Sequence, residues 1–316
     1  MIGNKIKIAF RHLLKNKTFS FINILGLALG MACCFLTLLY CWHEFNYDTF
    51  HEEGDRIYQV EYRIKRGEVI KIARIPSPVG PVLVDFFPEM EAASRFYGRE
   101  LSVENEETQA QFEIEDVYFV DSTALDVFKF DFLFGNPQRA LHQPDAVVIT
   151  DVTAMKLFGT TDAIGKPLKL AGEKGFRVTG VVKEWPDNSH LAFDMLIPYP
   201  TVVKVEPAHA REGLKFFLEN NWGATHSYTY VKLKPNQTAA AVNDRFKSFV
   251  SDKMTEQMGE NVAYGIIPIK DIHLLEEGGG PKPAGNRSYI YLFFICLLYT
   301  SPSPRDATLS RMPSSA

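Results

Sequence analysis

The chain has 316 residues, 46% of them apolar, and a formal charge of -4. That length suffices for one or two buried cores. The near-neutral balance offers no basic surface for nucleic acid, so no nucleic-acid partner is expected.

The first residues carry their own pattern. On a helical wheel Ile2, Ile6, Ala9, Phe10, Leu13 and Leu14 share one face, and Lys5, Lys7, Arg11, His12 and Lys15 cover the other. Residues 1–18 therefore read as a cytoplasmic amphipathic helix whose Lys5, Lys7, Arg11 and Lys15 meet anionic headgroups of the inner leaflet. A helix packed on a cytoplasmic subunit would show the same pattern.

From Phe19 to Trp42 no residue is charged. As a helix this run reaches about 36 Å, enough to cross a hydrocarbon core of about 30 Å with some tilt. A buried helix of a soluble protein seldom runs so far without a charge. A cleaved signal has a shorter apolar region and a small-x-small site, whereas this run closes on Tyr40, Cys41, Trp42 and His43. A lipoprotein signal at Cys33 fits no better, because Gly30 stands where a leucine is wanted. Residues 19–43 are read as a membrane helix. Lys5, Lys7, Arg11, Lys15 and Lys17 precede it, and Glu44, Asp48, Glu52, Glu53 and Asp55 follow it. The positive-inside rule then places the N-terminus in the cytoplasm and the chain from about residue 44 outside. Gly26 and Gly30 form a GxxxG pair that would let another helix approach, although such pairs also arise by chance. Cys33, Cys34 and Cys41 read as small apolar residues of the span.

Residues 44–286 read as one outer α+β domain. They contain no cysteine, so the domain needs its own core rather than disulfides. Val60, Tyr62 and Ile64 alternate with Gln59, Glu61 and Arg63, and Arg66-Gly67 turns the chain into a second β-rich run ending at Ile75. Pro76 to Pro81 breaks the pattern, and 82–87 reads as a short helix stopped by Pro88. Strands are expected over 112–120, 147–150, 176–182 and 227–233, and a helix over 151–158 stopping at Gly159. Val242, Phe246, Phe249, Val250, Met254 and Met258 recur at helical spacing, which makes 238–258 the longest outer helix. Its apolar stripe reads as core rather than as a ligand groove.

Catalytic patterns fail on inspection. Gly159 to Pro167, GTTDAIGKP, has one residue too many between its glycines for a phosphate loop. Pro167 also replaces the hydroxyl that would bind magnesium, so the segment reads as a turn. His43-Glu44 opens like a zinc-protease helix, but Tyr47 stands where the second histidine belongs. Ser189 and His190 adjoin in sequence, which is not how a nucleophile meets its base, and Asp187, Asn188 and Ser189 after Pro186 read as a turn. No catalytic residue, cofactor or metal site is expected.

Several ordered segments nevertheless carry a resemblance. AFRHLLKNKTFSFINILGLALGMA, YDTFHEEGDRIYQV (Tyr47–Val60), VVITDVTAMKLFG (Val147–Gly159), GKPLKL, VTGVVKEWPDNSH (Val178–His190), YVKL and DIHL (Asp271–Leu274) before NRSYIY follow one another as in the MacB/FtsX-type permeases of ABC transporters. The likeness is to the long forms typical of Bacteroidetes and runs from about Ile2 to Tyr291. It implies a MacB-like periplasmic core domain inserted after the first membrane helix, with further helices beyond it. It also implies a bacterial inner-membrane location and ATP hydrolysis by a separate ATPase subunit, whose motion the helices pass outward. A second permease copy, membrane lipids and a periplasmic protein are the other partners it points to. The apolar stretch 287–295 reads as the start of a second membrane helix cut short. Residues 296–316 resemble translated sequencing-adapter read-through and are set aside as a non-native tail. A membrane-anchored outer ligand sensor shares the outline of short N-terminus, single span and outer domain, and stands as the alternative.

Overall fold

In the computed structural model, residues 15, 17–254, 259–275 and 279–300 are described. The chain divides into two units, one holding the apolar helices and the other spanning Asn46–Gly285. Lys5, Lys7 and Arg11, and with them most of the expected amphipathic helix, lie outside the described residues.

In the first unit, helix α1 (Lys17–Phe45) has 29 residues and a mean hydropathy of 2.2 over its most apolar window. It is the one described helix long and apolar enough to cross a membrane. Most of its described side chains are exposed, with Phe19 at 69% and Leu27 at 65%, although Ser20, Cys41 and Glu44 are buried. In water that surface would be a liability; against acyl chains it is the required one. The last helix of the chain's described part runs Arg287–Thr300, 14 residues, or about 21 Å against a core of about 30 Å. It continues through 296–300, five residues past the expected break, while 301–316 lie outside the described residues.

The second unit is built on a 12-stranded mixed sheet. Its strands are β1 (Ile57–Arg66), β2 (Glu68–Ile72), β3 (Arg74–Ile75), β4 (Met90–Asn105), β5 (Gln111–Val120), β6 (Phe132–Gly135), β7 (Ala146–Thr150), β8 (Pro167–Leu170), β9 (Glu173–Val182), β10 (Met195–Pro198), β11 (Ser227–Leu233) and β12 (Val262–Pro268). The order across the sheet is β12-β1-β11-β4-β5-β10-β7-β9-β6, with β2 beside β1, β3 beside β11, and β8 bridging β4 and β9. Only β5–β10 and β7–β9 pair in parallel. The α+β class expected from the sequence is the class observed.

Local chemistry explains most boundaries. The β1–β2 hairpin turns at Gly67, whose φ of 81 is open to glycine without strain. Helix α2 (Val79–Phe86) begins three residues before the expected helix. Pro81 sits in its first turn, where a missing amide proton costs nothing, so the proline does not delay the start. Thr150 caps helix α4 (Asp151–Phe158) by accepting from the Thr153 amide, and Gly159 closes it at φ 70. Between α2 and α4 lies the short α3 (Ala124–Val127), and farther on α5 (Arg211–Asn220). Helix α6 (Ala239–Lys253) stops five residues short of the expected end, because Met254 is already extended; Met258 lies outside the described residues.

Three apolar clusters hold the domain. One packs α4, α5 and the β5–β10–β7–β9 region around Phe119, Phe176 and Ile197. A second joins Phe96, Phe128, Phe193 and Tyr230. The third seats α2 and α6 on the β1–β11–β12 end through Phe87, Phe246 and Phe249. The α6 stripe is therefore core, as its periodicity indicates.

Candidate functional site

Of the residues singled out in the sequence, Gly26 and Gly30 both lie on α1. A Cβ added at either would meet nothing within 4 Å, so no described part of this chain fills the GxxxG face. Lys15 is exposed. The GTTDAIGKP segment folds as a turn, with Gly159 capping α4 and Gly165 at φ 77, its amide donating to the Val178 carbonyl. Among the described residues no group of three or more His, Cys, Asp or Glu side chains is placed to hold a metal.

The structure instead brings together two motif segments 141 residues apart: the chain just after α1 and the 186–190 loop. Asp48 follows α1 by three residues and adopts φ 56, a left-handed conformation that aspartate tolerates better than most side chains. Its amide donates to the Asn188 carbonyl at 2.9 Å, and Asn188 Nδ2 donates to the Asn46 carbonyl at 2.6 Å. Ser189 Oγ donates to Asp48 Oδ1 at 2.8 Å, and the His190 amide reaches both carboxylate oxygens at 3.2 Å. His190 Nδ1 faces Asp48 Oδ2 at 2.8 Å, though not aligned as a hydrogen bond. On its other edge His190 Nε2 bonds the Tyr230 hydroxyl at 2.9 Å, which ties the loop into β11.

Asp48, Ser189, His190 and Tyr230 are each at most 1% exposed. Burial pushes the Asp48 carboxyl up, but the facing His190 and the hydrogen bonds from Ser189 and the His190 amide together hold it below the usual carboxylate value.

These residue types invite comparison with a hydrolytic triad, and the connectivity excludes it. In a triad the histidine stands between serine and carboxylate. Here the carboxylate stands between them: Ser189 Oγ donates to Asp48 and accepts from the Leu191 amide. With no exposed face, the group cannot reach a substrate. It is a clasp.

The chain leaving the domain fastens at the same place. Gly280 packs on His190 so closely that a Cβ there would come within 2.9 Å of the ring, and the Lys282 amide donates to the His190 carbonyl at 3.2 Å. Tyr47 stacks on His273, with ring centroids 3.3 Å apart and planes 2° from parallel, and the Gly285 amide donates to the His273 carbonyl. The residues that follow α1 and those that precede Arg287 are thus bound to each other and to the sheet.

His51 lies at the clasp's edge, wedged among Phe50, Phe128 and Trp185. Its Nε2 has no hydrogen-bond partner, although Asp48 Oδ1 is 3.9 Å away. Burial lowers its pKa to about 4, against an upward pull from Asp48. His226, half-buried between Tyr97 and Phe217 and near Arg74, Arg95 and Arg99, is also lowered to about 4, chiefly by desolvation. Between about pH 6.5 and 4 the unfolded chain therefore binds protons that the folded domain refuses. The stability these histidines contribute is present above 6.5 and lost as pH falls toward 4. Thermal melts should show the domain weakening across that window, by at most about 3 kcal/mol from His51 and less from the half-buried His226. His51→Phe, which removes an unpaired buried nitrogen, should flatten the acid limb. An unchanged limb in that variant would place the acid sensitivity elsewhere.

Among the described residues, one long apolar helix precedes an α+β domain. The model of the MacB-like periplasmic core domain matches residues 20–249, and the chain belongs to that family. Its fold is similar to that of a domain described as a permease from Porphyromonas gingivalis, at 20% identity and a TM-score of 0.58, covering 79% of this chain and 99% of that one. The periplasmic region of MacB from Actinobacillus actinomycetemcomitans matches at 12% identity and a TM-score of 0.45, covering 69% of this chain and 91% of that one. The extracellular domain of the ABC-type transporter YknZ from Gram-positive bacteria matches at 18% and 0.43, covering 67% and 99%. No curated protein matches the chain.

The sequence does not reveal the clasp: Asp48 stands there only as one of the acids after the span, and Ser189 and His190 only as an adjoining pair, next to a turn over 187–189, that fails as a nucleophile and its base. What signal existed lay in the resemblance, since YDTFHEEGDRIYQV and VTGVVKEWPDNSH both contain clasp residues.

Proposed function

We propose that this chain is the permease subunit of an ABC exporter or mechanotransmission system. A separate ATPase subunit hydrolyses ATP, and the membrane helices carry its motion to the outer domain. The orientation that goes with this reading is the one the flanking charges favour, with the N-terminus in the cytoplasm and Asn46–Gly285 outside. Two permease copies per assembly, with Gly26 and Gly30 available for helix packing and Lys5, Lys7, Arg11 and Lys15 on the inner leaflet, complete it.

The observation that carries the proposal is the clasp. A domain merely tethered to a membrane needs no rigid joint at its root, and a flexible linker would serve. Here the chain passes from α1 into a buried carboxylate, histidine and tyrosine network within three residues. The first residues of the domain are thus tied to β11 through Asp48, His190 and Tyr230, a connection that suits a part that is driven rather than merely held. The test is whether ATP binding by the assembled transporter moves the outer domains, and whether loosening the clasp reduces that movement without reducing ATP turnover.

A further inference from the structure

A cleft of about 790 Å³ opens between the start of α2, the 199–204 turn and α5. That size is within the range of small-molecule sites. Its polarity is ordered. Arg211, Lys215, Leu218 and Trp222 line it at spacings of four, three and four, one stripe along and just past α5. The first two are cationic and the last two apolar, with Arg211 and Leu218 about 10 Å apart along the helix axis. Lys204 joins the cationic group, and Pro78, Pro81 and Val82 of the α2 start join the apolar wall.

Two of the four cations lining the cleft are paired locally and two are not. Arg95, at the floor, is neutralised by a two-pronged pair with Asp121 at 2.7 and 2.9 Å and by the Tyr199 ring 3.7 Å away. Arg211 is held by Glu173 at 2.6 Å. Among the described residues, however, Lys204 and Lys215 pair with no carboxylate, and Glu219 is the sole acid in the lining. Lys204 rests instead over the Phe176 ring, 4.3 Å from its centroid. A cationic ligand would meet net repulsion here, and a purely apolar one would leave the ammonium groups unused.

We propose that this cleft binds a single-chain amphipathic anion, with its acidic group among Lys204, Arg211 and Lys215 and its apolar chain along Val82, Leu218 and Trp222. The site is distinct from the clasp and stands whether or not the coupling proposal holds.

The test uses the full chain in nanodiscs of neutral lipid, with empty nanodiscs subtracted. Octyl phosphate is the probe, and the readout is the fluorescence difference between the protein and its Trp222→Phe variant. Saturable binding is expected for octyl phosphate, at least tenfold weaker for octyltrimethylammonium and for inorganic phosphate. Lys204→Glu with Lys215→Glu should weaken it at least tenfold while the melting curve stays in place. Should that variant fail to fold, a salt series on the unaltered protein replaces it, and affinity must fall as ionic strength rises. Equal binding of the cationic and anionic probes, no response to charge reversal or salt, or no saturation would overturn the proposal. So would a surface that ignores octyl phosphate and binds only phosphatidylglycerol vesicles, since it would then be a bilayer contact.

Discussion

Asp48→Ala should cost the outer domain about 3–5 kcal/mol, since it removes a buried acceptor and leaves several buried donors unsatisfied at about 1–3 kcal/mol each. The substitution leaves His190 facing an empty site, strips the Ser189 hydroxyl of its acceptor, and asks alanine to hold φ 56. Two further variants separate these effects. Asp48→Asn keeps an acceptor for Ser189 and a side chain that tolerates the left-handed region, so it should lose clearly less. Asp48→Gly relieves the backbone but not the network, so it should resemble alanine. If asparagine and alanine melt together at the wild-type temperature, the clasp contributes nothing to stability.

Phe87→Ala should be comparably severe, about 3–5 kcal/mol. Phe87 is fully buried between α2 and α6, with ring centroids 4.7 Å from Phe246, 5.6 Å from Phe249 and 5.1 Å from Phe86. No neighbour is free to collapse into the space, because Phe246 and Phe249 are themselves packed on Tyr264. In a domain of this size the melting temperature should fall on the order of 10 °C. Phe87→Leu, which keeps most of the volume, should lose far less. Equal melting of the two variants would mean that the third apolar cluster is loosely packed.

How legible these features are in the sequence depends on how local their causes are. Helix α4 reads to the residue, because a threonine cap and a left-handed glycine bracket it. Strand β11 reads equally well from its β-branched and aromatic run. Strand β4, the longest, gives no such signal: Ala92, Ala93, Ser94 and Gly98 are weak strand formers, and two of the strand's partners, β11 and β8, lie far along the chain. The alternation over β1 misleads in a different way. Gln59 and Glu61 look like a solvent face, yet both are 1% exposed, because Gln59 bonds the Ala73 carbonyl and Glu61 pairs with Arg63. Cover on both faces of a sheet is a tertiary fact that a period of two cannot report. The clasp is hidden for the same reason. Its aspartate and histidine are 142 residues apart, and Ser189 next to His190 is a distraction, since both side chains turn to Asp48 rather than to each other.

If the outer domain is a driven part of an ABC permease, its position follows the nucleotide state of the ATPase. The most direct measurement is the distance between spin labels at Asp162→Cys in two copies, in transporter assembled with its ATPase and with the native cysteines replaced. Asp162 is exposed and remote in sequence from every clasp residue. The expected result is a shift of the distance distribution between the nucleotide-free and ATP-bound states. That shift should shrink in the Asn188→Ala, Ser189→Ala double variant while ATP turnover is retained. Identical distributions in both nucleotide states, in a preparation that turns over ATP, would contradict the claim.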